Sequence, residues 1–358
     1  MEMSYKEDWP DARKRIEAWW ANSAFDRAAI LIPAPRKQPI PGDPHPPTPS
    51  DVLQRWIDPE YRVASYDYHF RHTYYGGESI PVHWPNLGPG IMATYVGSPP
   101  TFDERTTWFG PAIFDWARDQ VSFDPDNEWW QVTLKLTRAA VEAGKGKYFV
   151  ALTDLGGITD VIASLRGNAN LLIDMAEGRP EINPLRDQLV PVWEHCYREL
   201  EAMMRPDYEG TSCWLGVWAP GRTYNIQCDY CCMISSEMFE KHVAPELEAL
   251  CHFLDYTTYH LDGPGALHHL DRLLAIPELH GIQWTPGSGA PETVEWLPML
   301  KRIQARGKIL HLHDSMANAE RILRELSPEG VMLDVHSCPS EDDARELLER
   351  AKGWGKRG

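Results

Sequence analysis

The chain has 358 residues, 43% of them hydrophobic, and a net charge of -17 from 35 Lys and Arg against 52 Asp and Glu. That length holds two ordinary domains or one (β/α)8 barrel with insertions. The acidic balance argues against a general nucleic-acid binder, which needs a basic face for phosphates, and against an anionic membrane surface. An anionic small substrate stays open, because a local Arg can outweigh the global field.

No apolar run approaches the roughly 20 residues of a membrane helix. Residues 1–10 are polar and acidic with no apolar core of a signal peptide, so a cytoplasmic location is expected. The seven cysteines are Cys196, Cys213, Cys228, Cys231, Cys232, Cys251 and Cys338. An odd number without a signal reads as free thiols. Fifteen Trp residues either pack the core or wall a pocket for a bulky or cationic ligand.

In chain order, residues 9–22 form an amphipathic helix with Ile16, Trp19 and Trp20 on one side. A strand follows at 28–33, just after Arg27. Residues 34–50 are proline-rich, which fixes φ and forbids helix, so they form an extended loop. Residues 51–75 read as helical. The turn-rich loop 83–90 leads into a second apolar strand at 91–96. Mixed loops fill 100–130, with Trp108, Trp116, Trp129 and Trp130, and a helix spans 131–143. A third strand at 148–154 stops at Leu155-Gly156-Gly157. Helices are expected at 158–166, 169–177 and 183–204. A fourth strand at 211–218 is closed by Ala219-Pro220-Gly221, and a helix runs from Ser236 into the 250s. Strands five to eight are read at 257–262, 281–285, 308–314 and 331–338. Helical patterns separate or follow them at 267–274, 293–306, 317–326 and 341–351.

Repeated βα units imply parallel strands with right-handed crossovers. Eight of them close a (β/α)8 TIM barrel, here with N-terminal helical and loop extensions, and its chemistry sits at the C-terminal strand ends. Those ends carry Asp154, Trp218, His260, Asp262, Trp284, His311, His313, Asp334, His336 and Cys338. Side chains at i and i+2 of a strand point the same way. His260 with Asp262, His311 with His313, and Asp334 with His336 and Cys338 therefore face one common mouth. No Gly-rich phosphate fingerprint supports a doubly wound sheet instead.

Imidazole, carboxylate and thiolate are zinc ligands, and three of them with an open position make a catalytic site. His260 and Cys338 lead, with Asp262, His313 or His336 as the third. The alternative is a set of hydrogen-bonded mouth residues without metal. Arg222, Arg166 and Arg27 are candidates to hold a substrate carboxylate, or else are ordinary ion-pair residues. Tyr224 and Asp229 follow as hydrogen-bond partners. Cys228-Asp229-Tyr230-Cys231-Cys232 contains a C-x-x-C, read as free thiols or as a redox pair.

Several stretches together resemble the uroporphyrinogen decarboxylase superfamily, and within it the cobalamin-dependent methyltransferase branch. They are Leu155-Gly156-Gly157 with Leu165-Arg166-Gly167, Gln227-Cys228-Asp229 with Ile234-Ser235 and Phe239, and residues 259–264, 282–287 and 330–338. The resemblance implies one TIM-barrel domain over residues 1–358, a homodimer, and an active site at the C-terminal mouth. In that branch a His-x-Cys and a distant Cys hold zinc. His260 matches the His and Cys338 the distant Cys, while Asp262 stands where the first Cys would be. The decarboxylase branch carries an Arg-rich N-terminal motif, for which this chain offers only Arg27, Arg36 and Lys37.

The expected function is thus methyl transfer between a small substrate and a corrinoid, assisted by zinc on His260, Asp262 and Cys338. His260, Asp262, His313 and His336 are the catalytic candidates. Trp84, Trp214, Trp218, Arg222, Tyr224 and Trp284 are expected around the substrate. No D-x-H-x-x-G signature is present, so the corrinoid belongs on a partner protein. A cofactor-independent decarboxylase or lyase with an Arg clamp such as Arg222 is the alternative. A non-catalytic barrel that only docks a corrinoid protein is a third.

Overall fold

Eight strands in parallel ladders and one antiparallel edge strand frame the fold. We label them β1 (Ala29–Pro35), β2 (Thr73–Gly77), β3 (Val82–His83), β4 (Phe149–Val150), β5 (Thr223–Gln227), β6 (Tyr256–Asp262), β7 (Gly281–Thr285), β8 (Ile309–Ser315) and β9 (Val331–His336). The computed structural model describes residues 3–42 and 45–354. The main sheet runs β2-β1-β9-β8-β7-β6-β5, and β3 pairs with β4 separately. All neighbours are parallel except β1 with β2. Among the described residues the ladder does not run unbroken around a ring. Glu78 N–H extends the β1–β2 pairing to the Ile30 carbonyl, and Leu152 N–H, just after β4, donates to the Ser212 carbonyl.

The strands read as near-continuous apolar runs because both faces are covered. Outward side chains of β6 to β8, namely Tyr259, Leu261, Ile282, Trp284, Leu310 and Leu312, are fully buried. Helices Leu297–Ala305, Met316–Glu325 and Glu341–Ala351 bury narrow stripes, for example Leu297, Leu300 and Ile303, at helical spacing. The inward face is polar instead. Register aligns Gln227 with His260, His260 with Gln283, and Gln283 with His311, giving one layer across four strands.

Helix Trp9–Trp20 lies across the N-terminal end of this sheet. The Trp19 indole N–H donates to the Leu310 carbonyl at 3.0 Å, and its ring meets His311 edge-on at 6.2 Å. Trp20 packs edge-on against Tyr256 and His280, at the starts of β6 and β7. One hydrophobic cluster extends from Met3 to Trp354. No helix of the described residues is long and apolar enough to cross a membrane.

Two of the expected strands lie elsewhere. Residues 91–96 contain a buried helical turn, Met92–Tyr95, and the strand of that unit is β3. The apolar stretch 211–218 supplies only Thr211–Ser212, which pairs antiparallel with Trp218–Ala219. Gly216, at φ 70°, lies within the connection between them. The sheet strand is β5, which follows Pro220-Gly221. Its sequence, Thr-Tyr-Asn-Ile-Gln, is too polar to announce burial, yet all five residues are buried. Pro33 and Pro35, read as part of or next to the loop, lie within β1.

Candidate metal centre and its cavities

β6 ends at Asp262 because Gly263, at φ 75°, turns the chain away. Period-two alternation then leaves His260 and Asp262 on the inner face at the C-terminal mouth. Asp229 joins them from the next layer of structure, a 3-10 turn Asp229–Met233 that follows β5. One ligand atom from each of Asp229, His260 and Asp262 lies within 4.8 Å of the others.

That turn is held by Asp160, in the first turn of helix Ile158–Arg166. Its carboxylate accepts the backbone N–H of Asp229 at 3.0 Å and of Tyr230 at 2.8 Å. Helix and strand can approach this closely because residue 157 is glycine. A Cβ there would lie 2.1 Å from the Gln227 carbonyl oxygen.

His260 is oriented by its neighbours. Nδ1 hydrogen-bonds the Gln283 side-chain carbonyl, and the Gln283 amide donates to Thr285 Oγ1 at 2.9 Å. This fixes Nδ1 as the protonated nitrogen and leaves Nε2 as a lone-pair donor, the usual support for a metal-binding imidazole. Trp214 stands edge-on to the ring at 5.2 Å.

The electrostatics follow from burial. Asp229 is pushed up from the ordinary carboxylate value, first by burial and further by Asp262, while His260 pulls it down. Asp160 is raised to about 8, by burial and then by Asp229. Crowded carboxylates short of positive charge are in the condition a cation relieves. Deeper in the layer, burial lowers His311 to about 3, with His313 and His260 adding to the effect. His311 is therefore a neutral interior residue.

Two cavities involve the C-terminal strand ends, one of them lined by Asp229. The larger, about 580 Å³, is lined by Asp160, Asp229, Tyr230 and Gln227 on one side and by Trp108 and Phe109 on the other. The last two belong to a hairpin, Pro100–Phe102 with Thr107–Phe109. The smaller, about 280 Å³, is lined by His313, His336, Thr285 and the loop after β7. Burial lowers the His313 pKa, and His336 lowers it further.

Other expected site residues are placed elsewhere. Cys338 is buried, its thiol donates to the Ser340 carbonyl at 3.3 Å, and it is outside the Asp229, His260, Asp262 group. Arg222 precedes β5 rather than following a strand. It pairs with Asp255, just before β6, and so lies at the N-terminal end of the sheet. Trp218 is fully buried beside Trp9, with Arg13 over its ring, also away from the mouth. Trp284 points outward against Trp296 because its neighbour Gln283 takes the inner face. Tyr224 is buried, donating to Asp154 at 3.0 Å and accepting the Leu155 N–H at 2.8 Å, where it braces the loop that leads to Gly157. The carbonyl of Trp84 accepts from Tyr66 and Arg62, and its indole N–H is buried without a partner among the described residues. Arg27 is committed to Glu78 and Arg166 to Asp174. Asp160 and the Thr107–Phe109 hairpin carried no signal in the sequence that separated them from ordinary loop residues. Asp229 was read as a hydrogen-bond partner and as part of a resemblance motif, not as a metal ligand.

No family model matches the chain, and no curated protein matches it. Among solved structures, a methyltransferase from Methanosarcina mazei is similar, with a TM-score of 0.59 and 11% identity over 95% of this chain and 98% of that one. At that identity the likeness is one of fold.

Proposed function

We propose that this protein is a metal-assisted methyltransferase of the uroporphyrinogen decarboxylase superfamily, acting between a small substrate and a corrinoid carried by a separate protein. One observation carries the reading: Asp229, His260 and Asp262 converge within 4.8 Å beside a cavity of about 580 Å³ at the C-terminal strand ends. The methyltransferase of similar fold supports the reaction class. Six parallel strands in one ladder and two in another match the strand number of a (β/α)8 barrel, and the unbroken core supports one domain.

The donor set fits a divalent cation. Two carboxylates and an imidazole offer hard and borderline atoms, suited to zinc and neighbouring metals, with room for a further ligand. When bound, such a cation supplies Lewis acidity and lowers the pKa of a group coordinated to it. The chain's own residues do the rest. Gln283 orients His260, and Asp160 holds the Asp229 turn in place. Trp214 packs against the imidazole, and Tyr230 and Trp108 line the cavity.

A corrin macrocycle is too large for the cavity. It would meet the mouth from outside, at a rim where Trp108 is 65% and Met233 45% exposed. The decarboxylase alternative loses its clamp, because Arg222 lies at the opposite end and, among the described residues, no Lys or Arg lines the large cavity.

The test is metal analysis of purified protein followed by a visible-spectrum assay of corrinoid methylation. Expected are one metal per chain and transfer that a strong chelator abolishes and zinc restores. A metal-free protein that cannot be loaded, or chelator-resistant transfer, overturns the metal centre.

A further inference from the structure

The large cavity has an unusual lining. Trp108, Phe109 and Tyr230 present aromatic rings, Asp160 and Asp229 present carboxylates, and among the described residues no Lys, Arg or His lines it. A carboxylate, phosphate or sulfonate would enter a space that has acids and no counter-charge. Gln227 adds an independent observation. It is 5% exposed, it lines this cavity, and its Oε1 has no hydrogen-bond partner among the described residues. A buried acceptor left open is a place for a donor that comes with a ligand. Trp108 is set for a role at the mouth: its ring is 65% exposed, and its indole N–H is pinned to Asp103 at 3.1 Å.

We propose that this cavity binds an alkylammonium group, a small methylated amine in its cationic form, as the methyl-bearing substrate of the reaction proposed above, on which this inference rests. Each part of the site matches such a group. The ring faces attract a cation by their quadrupole and at the same time pack its methyl groups. When a metal occupies Asp229, His260 and Asp262, the rings of Trp108, Phe109 and Tyr230 supply the attraction for the cation. The Gln227 oxygen receives the ammonium N–H where one is present. The overall charge of -17 favours arrival of cations.

Binding is measured directly, by calorimetry on the full, zinc-loaded chain. The probes are trimethylammonium, choline, and the neutral tert-butyl isostere of choline in which carbon replaces nitrogen. Both cations are expected to bind, choline at least about ten-fold more tightly than its isostere. Trp108→Ala is expected to weaken cation binding by about five-fold or more, and Trp108→Phe to restore most of it. Because Trp108 is exposed, neither change threatens the fold. Equal affinity for choline and its neutral isostere overturns the proposal, and so does binding indifferent to Trp108→Ala. A protein that holds zinc and demethylates a neutral donor while ignoring both cations refutes the ammonium site alone. Cation binding by a chain that takes up no metal refutes the metal centre alone.

Discussion

His260 and Gln283 face each other in register on β6 and β7, and their side chains are joined through Nδ1 and Oε1. The amide therefore selects the imidazole tautomer that points Nε2 at the two carboxylates. Removing such a support weakens metal binding by about 10–100-fold in comparable sites. Gln283→Leu is expected to do so here, read as zinc affinity against a competing chelator, with the fold intact by circular dichroism. Unchanged affinity would mean that the tautomer is set by something else.

Carboxylates rather than a thiol complete the proposed centre. Asp229→Asn and Asp262→Asn should each reduce bound zinc to well below one per chain. Cys338→Ser should leave it unchanged, since the thiol is occupied with the Ser340 carbonyl. Zinc lost from the Cys338→Ser and Asp262→Asn variants and kept by Asp229→Asn would restore the ligand set expected from sequence.

Arg222 offers a negative control. Its ion pair with Asp255 is partly exposed, and such pairs contribute about 0–1 kcal/mol. Arg222→Ala is expected to lower stability by no more than that and to leave kcat and KM for any substrate as they were. A large rise in KM would place substrate at the end of the sheet we assign to structure.

Glu246 gives the stability a pH dependence. It is fully buried and accepts from Thr159 through both backbone N–H and hydroxyl, at 3.0 and 2.8 Å. Burial raises its pKa from 4.5 to about 8. Between those values the unfolded chain has released a proton that the folded chain keeps, so stability is greatest below the lower value and declines as pH rises through the upper. At about 1.4 kcal/mol per pKa unit the decline amounts to a few kcal/mol. Glu246→Gln, which mimics the protonated acid, should match the parent in chemical denaturation at pH near 5 and exceed it near 9. A parent whose stability rises over that range contradicts the assignment.

What the sequence disclosed divides along a physical line. The later strands were legible because apolar runs with a polar tail alternate with period two, and that pattern placed His260 beside Asp262 before any coordinates. β5 was not legible, since its burial comes from partners such as Thr258, Asp154 and Trp193 that lie far away in the chain. Misplacing that one strand put Trp218 and Arg222 at the wrong end and left Asp229 outside the expected ligand set, since its position depends on Gly157 and Asp160 meeting it from another helix. Trp284 was misassigned for a smaller reason: on a strand buried on both faces, hydrophobicity does not say which face is the inside.

Trp19 sets a condition on traffic. With its indole lodged beneath β8 and Trp20 under β6 and β7, the far end of the sheet is covered by aromatic rings, which would leave the mouth as the way in and out for a reactant. A bulky carrier seated on that doorway would trap whatever had arrived earlier. Loading would then have to precede docking, and the spent molecule could depart only after the carrier had let go.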